Sequence, residues 1–142
     1  MQKLNLPQYK FKLKSNENKT LIFDKVRKKY FVLTPEEWVR QHYVSFLMEE
    51  KKYPISLIAL EKQLTVNGLK KRSDILIFNK EGKPEIIVEC KAPSVKITQE
   101  TFDQIARYNL KLQANYLVVT NGLQHIFCKI DTETESYIFL PE

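Results

Sequence analysis

Residues 72–91 read RSDILIFNKEGKPEIIVECK and hold two strand-forming runs on either side of a polar break. Ile75 to Phe78 and Ile86 to Val88 are dense in β-branched and aromatic side chains, and the segment between them carries Gly82 and Pro84, the composition of a hairpin. Antiparallel pairing sets Asp74, at the start of the first strand, beside Glu89, at the end of the second. Because side chains alternate along a strand, Glu89 and Lys91 share a face and Cys90 points to the other. The hairpin therefore gathers two carboxylates and an ammonium at one end of an apolar sheet.

Such a cluster has two readings. Hard divalent cations such as Mg²⁺ take oxygen ligands, commonly one or two carboxylates with water and substrate phosphate completing the shell. A lysine beside the ion orients or deprotonates a water, or offsets the charge that builds up at phosphorus. The plainer reading is that Asp74, Glu89 and Lys91 are charged strand ends emerging into solvent, where a cross-strand ion pair contributes little. Lys70, Lys71 and Arg72, read as a turn ahead of the first strand, add positive charge that would depress the acids' hold on protons and attract a phosphodiester. A solvated turn explains the same three residues.

The whole chain, 142 residues with 43% hydrophobic content, is sized for one domain with its own core. Its 23 basic against 17 acidic residues leave a net charge of +6, which fits a polyanionic partner, nucleic acid first, or simply a basic protein. Cys90 and Cys128 both fall in apolar runs without metal-ligand spacing and are expected as buried thiols. The start, MQKLNLPQYK, has no apolar run long enough for a signal peptide, and no segment approaches a membrane span, so a cytoplasmic location without membrane contact is expected.

Upstream of the hairpin, Tyr9 to Lys14 alternates apolar and basic residues, as a half-buried strand does; Ser15 to Thr20 reads as a turn and Leu21 to Phe23 as the returning strand. Lys25, Arg27, Lys28 and Lys29 form a basic cluster, either for phosphate contact or as a solvated face. Thr34-Pro35-Glu36-Glu37 predicts a helix with Thr34 as N-cap, running to about Tyr53. Glu37 would bond back to the Thr34 N–H, project toward the hairpin's acids, or both. His42, a single helical histidine without a companion ligand, reads as packing or surface. Ile58 to Val66 is the next strand, turning at Asn67-Gly68.

Downstream, Thr98 caps a second predicted helix that reaches Gln113, with Phe102, Ile105 and Leu112 as its apolar stripe. Gln104 and Tyr108 neighbour each other on its surface, with Arg107 adjacent. Tyr116 to Thr120 and His125 to Ile130 are strands joined through Asn121-Gly122, and Tyr137 to Leu140 closes the chain. The strand, helix, strand passage from Ile86 to Tyr116 implies a crossover, hence an α/β fold: a central mixed sheet flanked by helices. A single domain is expected, with a β-rich extension over 1–33, a core over 34–130 and a last strand over 131–142.

Asp74, Glu89-Cys90-Lys91 and Gln104 to Tyr108, in that order on strand, strand and helix, resemble the D…ExK…QxxxY pattern of PD-(D/E)XK nucleases. From Lys29 to Ile130, about seven tenths of the chain, PEEWVRQ, RSDILIF, VECKAP, QIARYN and VVTNG resemble the N-terminal nuclease domain of type I restriction-enzyme R subunits and the small stand-alone bacterial proteins built on it. The resemblance implies a restriction-endonuclease-like core of about four strands with a helix on each side. It also implies Mg²⁺, with Mn²⁺ able to substitute, held by Asp74 and Glu89 with the Cys90 backbone carbonyl as a further ligand and Glu37 as the acid of the first helix. Lys91 would position the attacking water, and Gln104 and Tyr108, with Arg72 and Arg107 nearby, would contact DNA or order the site.

The function expected is Mg²⁺-dependent hydrolysis of DNA. The rivals are an inactive nucleic-acid-binding or assembly module on the same fold, and a purely structural interaction domain that would leave the polar cluster unexplained. R subunits continue into motor and coupling domains that this sequence does not show up to Glu142. The expectation is accordingly a domain that cuts with little sequence choice, borrows a partner chain for targeting, or does not cut; a homodimer is also open.

Overall fold

The hairpin forms in the expected register, Ile75 opposite Val88, Leu76 opposite Ile87 and Ile77 opposite Ile86. The structure, a computed structural model, describes residues 2–66, 68–131, 133–134 and 136–140. In chain order it runs β1 (Leu13–Asn16), β2 (Lys19–Asp24), β3 (Lys29–Val32), α1 (Pro35–Glu49), β4 (Ile58–Val66), β5 (Leu69–Phe78), β6 (Pro84–Cys90), α2 (Gln99–Asn109), β7 (Tyr116–Thr120), β8 (His125–Asp131) and β9 (Ser136–Leu140). Strands β4 to β9 make one six-stranded sheet in sequence order, and β1 to β3 a separate three-stranded sheet. Among the described residues only β6 and β7 pair in parallel, which requires the crossover that α2 supplies, so the fold is the expected mixed sheet flanked by helices.

Strand alternation splits the core in two. Ile75, Ile77, Val88 and Cys90 pack with Val39, Tyr43, Val44 and Leu47 of α1. Leu76, Ile87, Leu117 and Val119 pack with Phe102 and Ala106 of α2. A sheet whose central strands are apolar on both faces needs a helix on each, and this chain provides one per side. Both cysteines are free and buried, as expected; burial raises the Cys90 thiol and pushes that of Cys128 up to about 11.

Several boundaries differ from the sequence reading. Lys70, Lys71 and Arg72 are not a turn: they lie within β5, with Lys70 opposite Thr65 and Arg72 opposite Gln63. The β4–β5 ribbon projects past the end of β6, so this stretch can be extended without being apolar. The Asn67-Gly68 turn falls partly outside the described residues, although Gly68 has the left-handed φ of +78° such turns use. Helix α1 stops at Glu49 rather than Tyr53. The Tyr53 N–H donates to the Leu47 carbonyl at 3.0 Å, with Lys52 at φ +63°, an arrangement that closes a helix just ahead of Pro54.

At the N-terminus the first strand begins at Leu13, not Tyr9. The Phe11 ring instead lies 4.8 Å from the His42 ring and 5.6 Å from that of Trp38. His42 is thus a packing residue; its Nδ1 sits 2.8 Å from the Trp38 carbonyl, and burial lowers its pKa. The turn of the first hairpin narrows to Glu17 and Asn18, both at positive φ, which matches the right-handed twist of its strands. Gly122, at φ +86°, lets the N-terminal segment lie across the β7–β8 turn, because a Cβ there would come within 2.8 Å of Leu4 Cδ2.

Candidate active site

Two strand registers line up three acids. Leu60 opposite Ile75 and Lys62 opposite Ser73 place Glu61 across from Asp74, and Ile75 opposite Val88 places Glu89 on its other side. The row crosses β4, β5 and β6 where the β5–β6 ladder ends. Asp74 is fixed there by two donors: the Cys90 N–H reaches its Oδ2 at 2.7 Å and Arg40 Nη2 its Oδ1 at 3.0 Å. Glu89 is held by burial instead. Its Oε1 is buried with no hydrogen-bond partner, and its pKa is pushed up to about 9 by desolvation first and then by the charge of Asp74. Ionised, the two carboxylates only repel; protonated, Glu89 donates to Asp74.

Lys91 follows one residue beyond Cys90, and its N–H donates to the Thr120 carbonyl of β7 at 2.8 Å. Its ammonium is near enough to pull down the pKa of both Glu89 and Glu36. Among the described residues it has no ion-pair partner, unlike Arg40. The Arg40 guanidinium, carried in from α1, donates to Glu37 Oε1 at 2.6 Å, Glu61 Oε1 at 2.7 Å and Asp74 Oδ1 at 3.0 Å, and Glu36 lies 3.6 Å away. Burial works against that charge, but Glu37 and Asp74 outweigh it and hold the guanidinium protonated. Glu61 reaches it from a left-handed backbone, φ +53°, in the middle of a strand. A non-glycine residue in that region is strained, and the strain sits where the side chain is aimed at the cluster.

Glu37 is linked to Asp74 through the Arg40 guanidinium, which donates to both. The Glu37 N–H donates to Thr34 Oγ1 at 3.0 Å, the first half of a capping box. The reciprocal bond is absent, because the Thr34 N–H donates to the Val32 carbonyl. The Glu37 oxygens are taken by Arg27 Nη2, Arg40 Nη1 and Gln41 Nε2, all within 3.2 Å. Two guanidinium donors and a side-chain amide outcompeted a single backbone amide. Among the described residues, no group of three or more His, Cys, Asp or Glu side chains is arranged to hold a metal. The Cys90 thiol faces the α1 core, as alternation required.

Other expected site residues distribute as follows. Tyr108 Oη accepts the Arg72 N–H at 3.3 Å, tying α2 to β5 two residues before Asp74. Gln104 and Arg107 are exposed on α2, and the Arg72 side chain is exposed, its Nε 3.9 Å from Glu61 Oε2. The Glu89 pKa moves up, against the depression expected from Lys70 to Arg72, because burial and Asp74 dominate. Arg27, grouped in the sequence with solvent-facing lysines, turns inward: it bonds Asp24 at 2.6 Å and Glu37, and stacks 3.5 Å over the Phe31 ring. Arg40 and Glu61 were not singled out from sequence, since nothing local marks an arginine whose partners lie 21 and 34 residues away.

Residues 35–142 match the sequence family described as type I restriction enzyme R protein N terminus. The chain belongs to that family. No curated protein sequence matches it. Within this R-protein N-terminal domain, Asp74 and Glu89 are the pair with spare oxygen capacity. Two of about four acceptor positions on Asp74 are used, and Glu89 Oε1 is orphaned. Hard carboxylate oxygens suit a hard divalent ion better than a soft one.

The raised pKa of Glu89 makes a pH prediction for the ion-free R-protein domain. The folded chain keeps a proton that the unfolded chain releases above 4.5, so this contribution to stability falls as pH rises from 4.5 toward about 9. Glu89→Gln, which cannot ionise, should gain a few kcal/mol over the wild type by about pH 8 in chelator and nothing at about pH 4. Thermal melts of the two proteins across that range check it; parallel curves would show that Glu89 ionises freely.

Proposed function

We propose that this domain is a metal-dependent nuclease acting on DNA phosphodiester bonds, with Mg²⁺ or Mn²⁺ held by Asp74 and Glu89. The observation that carries the reading is the meeting of Asp74 with Glu89, whose buried Oε1 has no hydrogen-bond partner among the described residues, beside the ammonium of Lys91. A hard divalent ion supplies Lewis-acid polarisation and a more acidic water when bound. The chain's own residues supply the rest. Asp74 is oriented by the Cys90 N–H and by Arg40, so its free lone pairs point in a fixed direction. Lys91 orients the attacking water, or offsets charge on the phosphorane oxygens, as the water's oxygen bonds to phosphorus and the P–O bond to the leaving sugar oxygen breaks. Glu37 serves as the anchor of Arg40 and Arg27 rather than as a ligand, since its oxygens are already engaged.

One observation favours the inactive binding or assembly module: the Arg40 guanidinium already neutralises Asp74 and Glu61 without any ion. Plasmid, linear duplex and single-stranded DNA incubated with the purified chain separate the two. The nuclease reading expects cleavage with Mg²⁺ or Mn²⁺ and none in EDTA. Intact DNA with either ion, from a protein that melts cooperatively, leaves the module.

A further inference from the structure

The family match begins at residue 35, so the three-stranded sheet over residues 13–32 lies outside it. Residues 10–32 carry eight basic residues against two acidic, a surplus of six that equals the net charge of the entire chain. One of the two acids, Asp24, is fully buried and bonded to Arg27, so it does not offset charge at the surface. The remaining seven basic residues, Lys10, Lys12, Lys14, Lys19, Lys25, Lys28 and Lys29, are all exposed.

Register sorts the two faces of this sheet. Leu13 pairs with Ile22 and Ile22 with Phe31; Ile22 is fully buried, so that face is turned inward. Lys12, Lys14, Leu21, Phe23 and Tyr30 share the opposite face by alternation, with Phe23 directly across from Tyr30. The Phe23 and Tyr30 rings lie 5.2 Å apart and are half-buried. Lys14 Nζ sits 4.1 Å over the Tyr30 ring and Lys12 Nζ 5.5 Å over that of Phe23. Beside them a cavity of about 300 Å³ is lined by Lys10, Phe11, Lys12, Phe23 and Lys25. Partly exposed rings on a sheet face, interleaved with long cationic side chains, are the combination that holds an unpaired strand: bases stack on rings and phosphates meet ammonium groups.

We propose that this outer face binds single-stranded nucleic acid, with bases on Phe23 and Tyr30 and phosphates on Lys12, Lys14 and Lys25. The proposal deepens the nuclease reading by naming where the substrate strand lies. The same sheet is joined to the acid row from its inner side by a continuous set of ion pairs, Asp24 to Arg27, Arg27 to Glu37, Glu37 to Arg40 and Arg40 to Asp74.

The test is fluorescence anisotropy in EDTA with labelled single-stranded DNA, the same strand as RNA, and the DNA duplex. Lys12→Ala/Lys14→Ala/Lys25→Ala should weaken single-strand binding at least about tenfold and lower the salt slope by about 2, at roughly 0.7 per phosphate contact. Tyr30→Ala should cost about tenfold through lost stacking, with less change in salt slope. A control removing the same charge elsewhere, Lys80→Ala/Lys83→Ala/Lys129→Ala, should have a clearly smaller effect. Whether the DNA or the RNA strand binds more tightly identifies the source of the strand, and loss of either through these variants supports the site. Equal losses in both triple variants, duplex bound as well as single strand, or unchanged binding by Tyr30→Ala and the first triple would overturn it. Binding in EDTA does not require cleavage. A protein that binds strands through this face yet never cuts refutes the nuclease reading alone, and one that cuts while the variants bind normally refutes this inference alone.

Discussion

Lys91→Ala is expected to lower Mg²⁺-dependent DNA cleavage by about 10²- to 10⁴-fold, the range for a group that positions or activates water, with little change in melting temperature. The separation of the two effects follows from its surroundings. Its ammonium has no ion-pair partner among the described residues, so removing it strands no buried charge. Its influence runs through the site instead: it favours ionised Glu89 and Glu36. Without it Glu89 holds its proton more firmly, and any ion must displace that proton. Lys91→Arg keeps the charge but broadens the donor group, and should recover only part of the rate. Cleavage by Lys91→Ala at the wild-type rate would remove this residue from the chemistry.

Arg40→Ala should destabilise the fold by about 3–5 kcal/mol, the usual cost of leaving a buried ion pair half empty. That is a large share of the roughly 5–15 kcal/mol that holds a domain of this size together. One guanidinium joins Glu37 on α1, Glu61 on β4 and Asp74 on β5, all within 3.0 Å. Its loss leaves three carboxylates facing one another beside Glu89. Arg40→Lys should rescue little, because a single ammonium cannot present a planar fork to three acids on three elements. Adding Glu61→Gln to Arg40→Ala should restore part of the loss by removing one repelling charge. Urea unfolding measures all of these; a cost under about 1 kcal/mol for Arg40→Ala would mean that water already carries those acids.

The sheet core was legible because each signal was local. β-branched runs around a Gly and Pro break fixed the β5–β6 hairpin, and period-two alternation put Asp74 beside Glu89 and turned Cys90 away. The Thr34 cap was legible for the same reason, since the Thr34 hydroxyl does accept the Glu37 N–H. What failed depended on distant partners. The Glu37 carboxylate had a local acceptable use, but Arg27, Arg40 and Gln41 claimed it once the chain folded. Arg40 looked like one helical arginine among others, and the positive φ of Glu61 has no signature in a glutamate. The polar stretch from Lys70 to Arg72 read as a turn because it carries no apolar run, yet its backbone pairs in register with β4.

The passage from Asp24 through Arg27 and Glu37 to Arg40 has a practical consequence for anyone trimming this protein to the region of the family match. A version starting at residue 35 would keep every residue of the family match yet discard Asp24 and Arg27, together with the three-stranded sheet they belong to. Gln41 would lose its aspartate acceptor and Glu37 one of its two arginines, beneath a newly uncovered helix. The shortened chain would be a damaged molecule rather than a minimal one, and a failure to cut DNA in that form would say nothing about the intact protein.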